Sequence, residues 1–146
     1  MPLADGETDD DLRSRAIRRV FGENPFCALV GVVLLERHDD HVLVGLPWQP
    51  DLRNVSGNHH GGAVATLVDI AAAAAVWNGH DFARGGRRLM TLSMSLQYLG
   101  AAPDTDLVCT ARAPKRGRDV IFTEMTVTAA GGALVADAHA TFGIRT

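Results

Sequence analysis

Cysteine is nearly absent from this chain: Cys27 and Cys109 are the only two in 146 residues. They lie far apart, in neither a CxxC pair nor a zinc-ligand spacing, so neither a disulfide framework nor a structural metal is indicated. Two reduced core thiols are the expectation. A basic surplus is missing as well. With 14 Lys and Arg against 17 Asp and Glu the net charge is -3, and phosphate-backbone binding normally shows as an excess of cations, so the balance argues against a dedicated nucleic-acid binder and leaves room only for local basic patches. No run approaches the ~18 uninterrupted apolar residues of a membrane span, because Asp69 breaks the longest candidate. The opening residues, Met1 to Asp11, are acidic and lack the basic and apolar regions of a signal peptide. A soluble cytoplasmic protein with no membrane partner is therefore expected. No internal repeat or low-complexity segment appears apart from five alanines at 71–75.

What is present is apolar content, 47%, enough to bury one core of ordinary size but not two. Residues 1–10 read as a solvated tail. An amphipathic helix from Asp11 follows, with Leu12, Ala16, Ile17, Val20 and Phe21 on one face, ended by Gly22 and Asn24-Pro25. This divides the chain into a tail and helix over 1–24 and a main domain over 25–146. Strands are expected at about 29–37 and 41–47, joined by a tight turn at His38-Asp39-Asp40. A polar loop from Asn54 then opens into a long helix through Trp77. Beyond it, period-2 alternation marks a strand over 91–98, with further strands at 106–113, 120–128 and 133–144. Lys115 to Asp119 reads as a basic hairpin turn. The last four strands are expected to form a meander. The class is α+β: a helix lacking a polar face must be covered nearly all round, and a curved antiparallel sheet wrapped around it does so.

Chemistry concentrates between Asn54 and Trp77. At His60-Gly61-Gly62 the long helix begins, and its unpaired N–H groups and positive dipole end suit a carbonyl oxygen that gains negative charge during acyl transfer. The glycines Gly61 and Gly62 allow close approach, and Asn54 either adds an amide donor or braces the loop. Asp69 is an acid on an otherwise oily helix, fit to be a nucleophile or a general base. It stands eight residues beyond Gly61, about 12 Å at ~1.5 Å per residue. One carbonyl cannot meet both within a single chain. A two-fold dimer with antiparallel central helices would bring Gly61 of one copy to Asp69 of the other.

The run N-x(5)-H-G-G-x(6)-D, here Asn54, His60, Gly61, Gly62 and Asp69, followed by a Ser- and Thr-bearing strand ending in Tyr98, resembles the hotdog-fold acyl-CoA thioesterases of the PaaI-like thioesterase superfamily. The similarity extends over most of the chain, roughly Pro25 to Ile144. The resemblance implies that the Gly61 N–H polarises a thioester carbonyl, assisted by Asn54 and His60. It further implies that Asp69 of the partner chain attacks it or activates water, and that a strand hydroxyl positions that water. Thr91 matches that hydroxyl best, with Ser93 and Ser95 expected on the same face. It also implies coenzyme A thioesters as substrates and homodimers often paired into tetramers. No cofactor or metal is expected, since coenzyme A belongs to the substrate. Lys115, Arg116 and Arg118 either contact its phosphates through charge-assisted bonds or form a solvated hairpin tip. A non-catalytic acyl-CoA-binding or regulatory hotdog domain is the alternative, and it would need no carboxylate. A dehydratase would want a His matched with an acid, and none is apparent.

Overall fold

The computed structural model describes residues 8–85 and 88–145. Most of the expected tail, residues 1–7, and Gly86-Arg87 of the loop after the long helix lie outside these residues. The first helix, α1 (Asp9–Gly22), starts two residues earlier than its apolar periodicity implies, because Thr8 and Asp11 form a reciprocal capping box. The Thr8 hydroxyl accepts from the Asp11 N–H at 3.2 Å, and the Asp11 carboxylate accepts from the Thr8 N–H at 3.0 Å. Leu12 and Ile17 of α1 are buried in the core.

A short helix, α2 (Pro25–Val30), occupies the start of what the sequence reading makes a strand. Asn24-Pro25 does not merely stop α1; it starts α2. The Asn24 side chain accepts from the Phe26 N–H at 3.0 Å, and Pro25 sits at the first helical position, where its missing N–H costs nothing. Gly31, at φ 82°, closes the helix in the left-handed region. The first strand is accordingly short, β1 (Val33–Arg37), and pairs with β2 (Val42–Leu46).

The long helix α3 (Gly61–Asn78) lies under the sheet, and Leu67, Val68, Ala71, Ala72, Ala74 and Val76 have no exposed surface. Alanine serves twice here, as a strong helix former and as a side chain small enough to admit the sheet closely. The remaining strands are β3 (Arg88–Tyr98), β4 (Leu107–Arg116), β5 (Val120–Ala129) and β6 (Leu134–Arg145). All six strands form one antiparallel sheet in the order β1-β2-β4-β5-β6-β3.

The expected four-strand meander is therefore corrected to three, β4-β5-β6, with β3 on the far edge beside β6. The link from β3 to β4 is no tight hairpin. It runs across the start of α3, where Asn58 bridges Pro103 and the His59 N–H donates to Ala102 at 3.2 Å. The polar loop and the strand connection thus brace each other, which sets the angle at which α3 begins.

One irregularity decides which side chains of β3 face the helix. Thr91 pairs with Phe142, but Ser93 pairs with Thr141, so β3 advances two residues while β6 advances one. Leu92 is the extra residue of a bulge, and alternation reverses beyond it. Thr91, opposite buried Phe142, faces α3; so do Met94, Leu96 and Tyr98, opposite the buried alanines 140, 138 and 136. Ser93 and Ser95 lie on the outer face. The expectation that they share the face of Thr91 is overturned, because period-2 counting fails across a bulge.

Candidate active site

The loop before α3 is built by Asn54. Its side-chain oxygen accepts from the N–H groups of Ser56 at 2.9 Å and Asn58 at 3.1 Å, and its own N–H donates to Asn58 at 2.8 Å. Gly57, at φ 82°, completes the turn. Loop bracing is thus what the oxygen of Asn54 does, while its amide NH2 has no partner among the described residues. The two histidines that follow diverge. His59 is buried, packs edge-on against Trp48 with ring centroids 4.8 Å apart, and bonds the Thr105 carbonyl through Nε2 at 2.7 Å.

His60 is exposed and caps α3. Its Nδ1 accepts from the Gly62 N–H at 2.9 Å, and its carbonyl accepts from the N–H groups of Ala63 at 2.9 Å and Val64 at 3.2 Å. Three of the first four helix N–H groups are thereby satisfied. The fourth belongs to Gly61, and it has no partner among the described residues. The Gly62 N–H, expected to help hold substrate, is taken by His60; Gly62 contributes only its lack of a side chain. A cleft of about 400 Å³ opens here, lined by Asn54, His59, Gly61, Gly62 and Tyr98 among others. Tyr98 closes one side. Its hydroxyl donates to the Gly61 carbonyl at 2.8 Å, and a Cβ added at Gly61 would stand 3.3 Å from the ring.

Asp69 lies two turns further along α3 and is half-buried. The Thr91 hydroxyl donates to its Oδ1 at 2.9 Å, leaving Oδ2 without a partner among the described residues. The expected residues thus fall into two groups: Asn54, His60, Gly61 and Gly62 at the helix start, Asp69 and Thr91 in its middle. The ~12 Å of helix between them stands as the rise per residue dictates.

The three cations separate. Lys115 and Arg118 are exposed. Arg116 is instead turned inward, and its guanidinium donates to the carbonyls of Val76 and Ala75 at 2.8 Å each, the orphaned acceptors at the end of α3. Burial, and secondarily the charge of Arg13, lowers its pKa. Arg116 is a helix cap rather than part of a free basic tip, a role hidden from the sequence because its acceptors lie forty residues away. Arg118 lines a larger cleft, about 1050 Å³, at this end of α3, but neither Asp69 nor Gly61 reaches it.

Trp77 and Phe82 are buried and stacked 5.8 Å apart, with His80 edge-on to both, so they pack the core rather than line a substrate pocket. Among the described residues no group of three His, Cys, Asp or Glu side chains is placed to hold a metal ion. Both cysteines are buried and unpaired, and burial pushes the Cys109 thiol up to about 12.

The thioesterase superfamily profile matches residues 56–136, from the turn before the HGG run to the start of β6. The chain belongs to the thioesterase superfamily. A conserved Pseudomonas aeruginosa protein of known structure is 31% identical to this superfamily member, with a TM-score of 0.77, covering 88% of this chain and 98% of its own. The PaaI protein of the Escherichia coli phenylacetic acid degradation operon shares the fold at a TM-score of 0.81, with 13% identity and coverage of 95% and 97%. A hypothetical thioesterase from Streptococcus pneumoniae TIGR4, solved with coenzyme A, has 27% identity, a TM-score of 0.65 and coverage of 77% and 87%. No curated protein matches the sequence. The α+β fold is the hotdog fold of these thioesterases, as the resemblance implies, and thioester hydrolysis is the chemistry of the superfamily.

Tyr98 is the site residue that sequence reading passes over, naming it only as the end of a strand. Its spacing from Thr91 misleads, since an odd interval reads as the opposite face.

Proposed function

We propose that this superfamily member hydrolyses an acyl-coenzyme A thioester to free acid and coenzyme A at sites shared between two copies of the chain. The observation that carries this reading is the single unpartnered N–H of Gly61, opening into a cleft beside Asn54, on the same helix as a Thr91-held carboxylate ~12 Å away. In the proposed dimer Gly61 of one copy faces Asp69 of the other. The edge strand supports pairing. β3, an eleven-residue strand paired with β6 on one side, has no neighbour on the other among the described residues and leaves Met90, Leu92, Met94 and Tyr98 exposed, a surface that proteins seldom leave open.

The thioester carbonyl oxygen lies against the Gly61 N–H, with the Asn54 amide nearby. As base, Asp69 takes a proton from water while the water oxygen bonds to the carbonyl carbon; the negative charge moves to the carbonyl oxygen, where the Gly61 N–H and the helix dipole hold it. When the carbonyl reforms the C–S bond breaks, and the proton passes from Asp69 to the departing thiolate. As nucleophile, Asp69 itself bonds to the carbon and the C–S bond breaks, expelling the coenzyme A thiolate; water then cleaves the anhydride, returning Asp69 and the product acid as carboxylates and supplying the proton that the thiolate takes up. Thr91 donates to Oδ1 in either case, leaving Oδ2 to act. Of the hairpin cations, Lys115 and Arg118 are the exposed pair that would meet coenzyme A phosphates. The coenzyme A held by the pneumococcal relative supports the substrate class. The non-catalytic alternative leaves the Asp69–Thr91 pair without a purpose.

The test is turnover of a panel of acyl-CoA thioesters, followed by thiol release, with wild type, Asp69→Asn and Gly61→Pro. Proline is suited to that first helical position, and His60 at ψ 138° already has the conformation that precedes proline, so the backbone accepts the change and the N–H is lost; because its Cβ also stands 3.3 Å from the Tyr98 ring, Gly61→Ala, which adds that Cβ and keeps the N–H, is the control. Asp69→Asn and Gly61→Pro should each be inactive alone, and their mixed heterodimers should regain activity at one of their two sites. Unchanged turnover in Asp69→Asn would sink the mechanism, and tight binding without hydrolysis by wild type would favour the binding domain. A single turnover in 18O water labels Asp69 only on the nucleophile route.

A further inference from the structure

Tyr98 and Thr91 are seven residues apart on β3, an odd interval that places two side chains of a regular strand on opposite faces. Their partners on β6, Ala136 and Phe142, are six apart and share the helix-facing side. The difference is the one residue of the Leu92 bulge. Through it a single edge strand touches α3 at both candidate half-sites, Thr91 to Asp69 and Tyr98 to Gly61.

The contact at Gly61 is specific. Glycine is the residue with the widest backbone freedom, and here it opens a helix with its N–H unheld. On one side the His60 carbonyl is fixed by the N–H groups of Ala63 and Val64. On the other the Gly61 carbonyl receives the Tyr98 hydroxyl at 2.8 Å, while the ring lies within 3.4 Å of where a Cβ would be. Both ends of the residue are clamped, and the N–H between them is aimed. Tyr98 also lines the cleft into which that N–H opens.

Resting on the thioesterase reading above, we infer that Tyr98 is a positioning residue that holds the Gly61 N–H on the thioester carbonyl oxygen, and that the Leu92 bulge is the device that delivers it to the helix face. A donor held in place stabilises the growing negative charge more than it stabilises bound substrate. The hydroxyl therefore acts on kcat, and the ring, as a wall of the cleft, acts on KM.

Tyr98→Phe removes the hydroxyl and keeps the wall. The expected result is a kcat lower by about threefold to tenfold, the worth of one hydrogen bond, with KM and assembly unchanged and a melting temperature lower by no more than a few degrees, so that the protein stays fully folded at the assay temperature. Tyr98→Ala should also raise KM. The Gly61 carbonyl 13C resonance, read in the same Tyr98→Phe protein, reports the clamp without any turnover and should shift. A kcat within twofold of wild type in Tyr98→Phe, while Asp69→Asn is inactive, overturns the inference and leaves the thioesterase reading standing. A kcat that falls only in step with the melting temperature overturns it too. If wild type hydrolyses no thioester, that reading fails, and an unmoved Gly61 resonance removes the clamp as well, whereas a shifted one retains it.

Discussion

Replacing Arg116 by Met keeps the aliphatic stem and deletes the guanidinium that caps α3. Two bonds to the carbonyls of Ala75 and Val76, 2.8 Å each, are lost. A hydrogen bond from a charged donor is worth about 1.5–3 kcal/mol. Against that, the charged form is already disfavoured by burial, and water partly resolvates the freed carbonyls at a helix end. The loss of a favourable charge at the negative end of the helix dipole adds a few tenths to one kcal/mol. A net cost of about 2–4 kcal/mol follows, a large part of the 5–15 kcal/mol typical of a domain. With a urea slope of about 2 kcal/mol per M, the midpoint should fall by about 1–2 M at unchanged slope. The assay is urea unfolding at one fixed protomer concentration, because assembly contributes to apparent stability. Arg118→Met, at the exposed tip, is the control and should stay within ~0.5 kcal/mol of wild type. Equal midpoints for the two variants would refute the capping role and return Arg116 to the basic tip.

Gly79→Ala should reproduce much of that loss, because its Cβ would stand 2.5 Å from the Arg116 guanidinium and push it off both carbonyls. Combined with Arg116→Met it should cost far less than the sum, and additive unfolding energies would show that the contact is not what matters. At high pH, stability should decline through Cys109, whose folded pKa is raised from 9.0 to about 12. Between those values the unfolded chain releases a proton that the folded chain keeps, so this contribution is intact below pH 9 and lost as pH rises. Cys109→Ala should flatten the stability curve between about pH 9 and 11, whereas a slope equal to wild type would contradict the assignment. Of the two exposed cations at the β4-β5 hairpin, Lys115 and Arg118, Arg118→Ala should raise KM for acyl-CoA thioesters while leaving kcat, and the effect should fade with added salt; an unchanged KM would leave the hairpin tip merely solvated.

Periodicity and caps made much of the architecture legible. The apolar run after the HGG motif could be satisfied only by cover on all sides, and the alternating segments after it could supply that cover only as a sheet. Signals that depend on two neighbouring residues fared worse. Asn24-Pro25 ends one helix and begins another by the same chemistry, and only the capping of the Phe26 N–H by the Asn24 side chain distinguishes the outcomes. Residue type, spacing and helix context pointed to Asn54, His60, Gly61 and Asp69, and the structure places the first three together at the start of α3 and Asp69 two turns along it. Ser93 and Ser95 were misplaced because counting by twos assumes an unbroken ladder.

By itself the sequence determined the class of the fold, the helix at its centre and the ~12 Å of helix rise between Gly61 and Asp69, since the rise of a helix is the same in every protein. Only the tertiary structure decided that β3 leaves the meander for the edge beside β6, that Leu92 bulges, that Arg116 reaches α3 and that Tyr98 covers Gly61. Each of these depends on which distant segment lies alongside, and that is chosen by the packing of the whole core rather than by the residues nearby.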